Sequence, residues 1–161
     1  MIEKLPECRS VRVEFQEGWS HTAQKTLLAF ANTIGGDLYF GITDDGITKG
    51  LSKKAVNVIS RTVQEFCRSE VEPVLIDMVS TKVISAGNCT YVLRVTVDLG
   101  EDRPYALKGK RYTGGAYVRD GSMSVTATEE EIRDMIRESS PQPWESRLSR
   151  QTDLRFGETA D

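Results

Sequence analysis

A chain of 161 residues, 39% hydrophobic and 28% charged, is long enough for one good core and has the balance of a soluble globular domain. Its formal net charge of −3 supplies no whole-protein attraction to nucleic acid, although it leaves room for a local basic face. No apolar run reaches membrane-spanning length and no secretory segment opens the chain, which points to the cytoplasm; the isolated Cys8, Cys67 and Cys89 argue against a disulfide scaffold or a zinc knuckle.

Residues 1–10, interrupted by Pro6, read as an arm leading into the domain. Val11, Val13 and Phe15 alternate with Arg12 and Glu14, the pattern of a half-buried strand, and Gly18 breaks it. Ser20 or Thr22 is placed to cap a helix running to about Asn32, with Leu27, Leu28, Ala31 and Ile34 on its apolar face and a solvent-facing His21 at its start. Gly35 and Gly36 end that helix and reverse the chain. Leu38, Phe40 and Ile42 then alternate through Gly41 as a buried strand, and Asp44-Asp45-Gly46 turns it into a short returning strand. A second helix is expected over 54–68, with Val56, Ile59, Val63 and Phe66 on one face. Strands over 74–83 and 90–97 follow, joined at Ala86-Gly87-Asn88, and Pro104 to Leu107 reads as a short edge strand.

From Arg103 to Arg119 there are five basic residues (Arg103, Lys108, Lys110, Arg111 and Arg119) and no carboxylate. Ala116 to Arg119 reads as a further strand. Thr126 with Glu129, or Thr128 with Glu131, offers a capping box for a last helix whose apolar face carries Ile132, Met135 and Ile136. Residues 139–161 form a polar tail in which Trp144, Leu148, Leu154 and Phe156 are possible anchors, the expected start of a further region. These elements predict one α/β (α+β) domain over 11–138: a mixed, mostly antiparallel sheet packed against helices near 22–33, 54–68 and 127–138.

Several chemistries fail on spacing. Around Gly109-Lys110, Pro104 and Arg111 stand where a phosphate-binding P-loop needs glycine and a hydroxyl residue. The glycines between 35 and 41 lie in a helix–turn–strand context, whereas a dinucleotide fingerprint needs strand–turn–helix. Carboxylates and cations remain. If the strands that carry them lie side by side, Glu14 and Asp44 can share a divalent cation that activates water against a phosphodiester; the plain alternative is a strand's polar face and a turn. Lys108, Lys110, Arg111 and Arg119 can contact phosphates, with Tyr105, Tyr112 or Tyr117 stacking on bases; here the alternative is a solvated loop.

Val13-Glu14-Phe15-Gln16, Ala29-Phe30-Ala31-Asn32-Thr33-Ile34-Gly35-Gly36 and Phe40-Gly41-Ile42-Thr43-Asp44 form one signature. Gly114, Tyr117-Val118-Arg119, Gly121-Ser122, Ala127 and Glu131-Ile132 form a second. In this order they resemble the Schlafen-type AlbA-like domain, which begins transcriptional regulators in bacteria and archaea. The resemblance makes Asn32, Gly35, Gly36, Gly41, Gly114 and Gly121 structural motif positions. It implies DNA or RNA as partner, with ATP binding as a further alternative; a homodimer is the form to expect if the chain is instead a protein-interaction module. Animal Schlafen proteins carry an endoribonuclease site of two glutamates and an aspartate. Glu14 and Asp44 match two of these, and Mg²⁺ or Mn²⁺ would be the cofactor. The remaining glutamate position falls on Arg9, with Glu7 a displaced substitute, and Gln16 stands where the family has lysine. These departures favour a nucleic-acid-binding module over a nuclease; the edge strand near Pro104 and the tail anchors suggest a protein-interaction module as the third class.

Overall fold

The computed structural model describes residues 4–112 and 114–139, so the tail anchors Trp144 to Phe156 lie outside the described residues. In chain order the elements are β1 (Val13–Gln16), α1 (His21–Asn32), β2 (Gly36–Phe40), α2 (Lys53–Ser69), β3 (Val71–Glu72), β4 (Val79–Gly87), β5 (Thr90–Val97), β6 (Ala106–Leu107), β7 (Tyr117–Asp120), β8 (Met123–Thr126) and α3 (Glu129–Ser139). The main sheet has the order β1-β2-β5-β4, parallel between β1 and β2 and antiparallel elsewhere. This is the expected mixed, mostly antiparallel sheet with three helices.

Local chemistry accounts for the element ends. Gly35, at φ +78°, donates its N–H to the Phe30 carbonyl at 2.7 Å and closes α1 in a conformation that a side chain would strain. The Ser52 hydroxyl accepts the Ala55 N–H at 3.1 Å to cap α2. The expected capping box of α3 is formed by Thr128 and Glu131, which exchange hydrogen bonds of 2.8 and 3.1 Å. At α1, Ser20 takes the N-cap backbone position, but its hydroxyl donates to the Gln16 side chain instead.

The structure corrects the sequence reading at six places. The returning strand after Asp44-Asp45-Gly46 is reduced to one bridge between Ile42 and Thr48, because β2 spends its edges on β1 and β5. No single strand spans 74–83. Leu75 is buried and donates its N–H to the Cys67 carbonyl at 3.0 Å, Ile76–Met78 forms a 3-10 turn, and β4 starts only at Val79. The hairpin turn after β4 sits one residue later than expected, with Asn88 and Cys89 both at positive φ. Ile34 falls past the end of α1 and is exposed, as is Ile136 on α3. The strand near Pro104 is no edge: Pro104, Tyr105 and Ala106 are buried, and β6 lies between β3 and a bridge to Ala116. Finally, the expected strand over Ala116–Arg119 is present as β7, but it pairs in a hairpin with a second strand, β8, that is absent from the sequence reading.

One sheet face meets α1 and α2, where Leu27, Leu28, Phe30, Leu38, Phe40, Phe66 and Leu93 are buried at 0–1% exposure. Each such side chain contributes roughly 1.5–3 kcal/mol of burial. The opposite face carries Phe15, Tyr39, Ile42, Ile84 and Val92, with Leu5 of the arm packed on it. The acidic turn presses against that arm: a Cβ on Gly46 would meet the Glu7 carbonyl at 2.5 Å. The sheet thus buries both faces at β1, and α1 and β7 lie against each other beyond it.

Burial pushes the Cys67 thiol up to about 12, so it stays protonated at any pH where the fold is handled, while Cys8 and Cys89 are exposed. A thiol reagent at pH 8 should therefore label two cysteines in the native protein and the third only in denaturant. Rapid native labelling of Cys67 would contradict this core.

Candidate functional site

The alternation around β1 predicts Glu14 on a polar face, yet its side chain is only 4% exposed. The β7–β8 hairpin lies over it and brings Arg119 to 3.0 Å from its Oε1. Arg119 is itself buried, with its side chain at 0% exposure. Its Nε donates to the Val11 carbonyl at 3.3 Å, and Nη2 donates to the carbonyls of Ser10 and Val13 at 2.9 and 3.1 Å. Nη1 donates to the Ser124 hydroxyl at 2.9 Å as well as facing Glu14. A guanidinium has five N–H donors, and this geometry engages all of them. Its plane also lies over the Phe30 ring, 5.0 Å from the centroid. Burial lowers the Arg119 pKa, Glu14 pushes it back up and Arg9 lowers it slightly further. The expectation that Arg119 contacts nucleic-acid phosphates is therefore corrected: it is a structural cation.

Arg9 lies on the other side of Glu14. Its Nη1 is 3.5 Å from Glu14 Oε2 and 3.4 Å from Asp44 Oδ1, and its Nη2 is 3.5 Å from the Ser122 carbonyl. Glu14 and Asp44 are thus brought to one place, with the Arg9 guanidinium between them. Glu7 is exposed on the arm and touches the acidic turn through its backbone carbonyl. Among the described residues no group of three or more metal-binding side chains is assembled. A buried glutamate held by two guanidinium groups does not fit Mg²⁺ or Mn²⁺, since the cationic neighbours would repel the ion.

A polar cleft of about 240 Å³ opens beside this network, lined by Arg9, Glu14, Thr22, Lys25, Thr26 and Ser122 to Ser124. Thr26 and Ser124 share a hydroxyl–hydroxyl hydrogen bond of 3.2 Å, and the Lys25 ammonium lies 5.6 Å from the Tyr117 ring centroid. Sequence reading missed Lys25, Thr26 and Ser124; the one available signal was Thr26, a polar residue bordering the apolar run from Leu27 to Ala31.

The basic loop between β6 and β7 is the second cluster. Lys108 and Lys110 are exposed, as is Tyr112. Arg111 is committed to holding the loop: Nε donates to the Pro104 carbonyl and Nη2 to the Asp102 carbonyl, both at 2.9 Å, and its guanidinium lies 5.4 Å from the Tyr112 ring. Folding also brings carboxylates to this carboxylate-free stretch, because Gly109 donates its N–H to Glu72 and Arg111 pairs with Asp102. The motif glycines mark turns: Gly41, Gly114 and Gly121 have positive φ, and Gly36 packs against the Phe30 ring. Asn32 is buried and ties α1 to the segments of Tyr105 and Tyr117.

The family model described as Schlafen, AlbA_2 matches residues 10–128, which spans β1 through β8 and leaves Arg9 just before the matched segment. No curated protein matches the chain.

Proposed function

The chain belongs to the Schlafen, AlbA_2 family, and on that premise we propose that it is a nucleic-acid-binding module of a regulatory protein, taking DNA or RNA as partner and not cleaving it. The observation that carries this reading is the anchored basic loop, where Arg111 holds the backbone and Tyr112 while Lys108 and Lys110 stay exposed. Such a loop suits phosphate contacts with a stacking ring alongside. The Arg9 bridge between Glu14 and Asp44 supports binding over hydrolysis, because two carboxylates already neutralised by guanidinium groups make a poor metal seat.

Fluorescence titration with single-stranded and duplex probes at two salt concentrations tests the reading. Lys110→Ala should weaken binding to all sequences and lower the salt slope by roughly one, and Lys108→Ala should act alike. Binding indifferent to both substitutions and to salt would remove the loop from the interface. Metal-dependent cleavage by the wild type, lost in Glu14→Gln and Asp44→Asn, would replace the reading with a nuclease.

A further inference from the structure

We propose that the cleft lined by Arg9, Lys25, Thr22, Thr26, Ser122 and Ser124 is a seat for one phosphate group. This deepens the nucleic-acid reading by naming a phosphate site apart from the Lys108–Gly115 loop, and it rests on that reading only for where the phosphate comes from.

The charge balance favours an anion. Glu14, the carboxylate lining the cleft, is already matched by the buried Arg119 at 3.0 Å. Among the described residues, Arg9 and Lys25 then bring two further positive charges against one further carboxylate, Asp44 at the rim, whose side chain is 80% exposed and therefore well screened. Arg9 is also loosely held. Its contacts with Glu14, Asp44 and Ser122 are 3.4–3.5 Å, whereas a charge-assisted hydrogen bond closes to about 2.7–2.9 Å. An oxyanion in the cleft offers that planar fork closer partners than it now has.

The uncharged lining points the same way. Ser124 accepts a hydrogen bond from Arg119 Nη1, so its own hydrogen is left to donate to Thr26 or into the cleft. Thr22 lies in the first turn of α1, which carries no acidic residue there to oppose an anion. A guanidinium, an ammonium and several hydroxyls arranged around one cleft suit a tetrahedral anion with many acceptor oxygens better than a flat carboxylate with two.

The test is amide NMR of the ¹⁵N-labelled full chain titrated with sodium phosphate, against sodium chloride at matched ionic strength. Resonances of Thr22, Lys25, Ser122, Met123 and Ser124 should shift saturably with phosphate alone. Arg9→Gln and Lys25→Gln should each raise the apparent Kd roughly tenfold, as expected for losing one charged hydrogen bond, and Lys54→Gln, on the exposed side of α2 and outside the cleft, should leave it unchanged. Lys25 is half-exposed on α1, so its variant should keep a native spectrum even if Arg9→Gln does not. Shifts that fail to saturate, or that persist unaltered in Lys25→Gln, overturn the proposal. Oligonucleotides with a 5′-phosphate or a 5′-hydroxyl then separate the sources: a response to the first alone means a terminal monoester, and a response to both means the backbone diester. Saturable phosphate binding with neither oligonucleotide bound would leave the seat standing and overturn the nucleic-acid reading.

Discussion

Replacing Arg119 with alanine is expected to cost roughly 3–5 kcal/mol of unfolding free energy, a loss in Tm on the order of 10 °C for a domain of this size. The reason is the company that Arg119 keeps. Its removal leaves Glu14 with a buried charge and only the loose Arg9 and the neutral Gln16 amide, 3.2 Å from Oε2, beside it among the described residues, and it leaves the carbonyls of Ser10, Val11 and Val13 without this donor. Arg119→Lys should fall in between, since an ammonium keeps the charge but not the fork. Combining Glu14→Gln with Arg119→Ala should recover part of the loss, because the stranded charge is then gone. Urea melts of the four proteins provide the measurement. If Arg119→Ala behaves as a surface substitution, within about 0.5 kcal/mol of the wild type, the buried pair is not what holds the hairpin to β1.

Asn32→Leu should be comparably damaging for a different reason. The Asn32 Nδ2 donates to the Tyr105 and Tyr117 carbonyls, each at 2.9 Å, and its Oδ1 accepts the Tyr105 N–H at 2.7 Å. A leucine fills the space and takes the partner from three buried backbone groups at about 1–3 kcal/mol each, so a total on the order of 3–9 kcal/mol is expected. Asn32→Asp keeps the acceptor but turns an oxygen toward two carbonyls, and should be no better. Hydrogen exchange of the Tyr105 amide reads the loss locally. An amide as protected in Asn32→Leu as in the wild type would show that the side chain is not its shield.

These two residues also show what a single sequence can carry. The face of α2 and the capping box of α3 were legible because every interaction involved spans a few positions. Asn32 was visible as part of a motif, but its partners lie 73 and 85 positions away and no local pattern names them. Glu14 was legible as a candidate and misplaced in orientation. Alternation assigned Val13 and Phe15 to one covered face, where Phe15 is buried and Val13 half-buried, and no periodicity can say that the other face is covered too. The 74–83 segment misled for the converse reason. Its apolar residues suit a strand, but Leu75 serves the core by leaving the sheet and folding onto α2.

The distance between Arg119 and β1 bears on how the protein is made. The carbonyls of Ser10, Val11 and Val13 wait for a guanidinium that follows them by 106–109 positions. At a synthesis rate of about 5–20 residues per second, roughly 5–20 s pass between the two. Throughout that interval Glu14 of the nascent β1 lacks its Arg119 partner, and the strand edge offers backbone groups to any neighbouring strand. A ribosome-associated chaperone that covers extended segments would find its longest-lived client in the first strand, and slowing translation between β5 and β7 should lengthen that dependence.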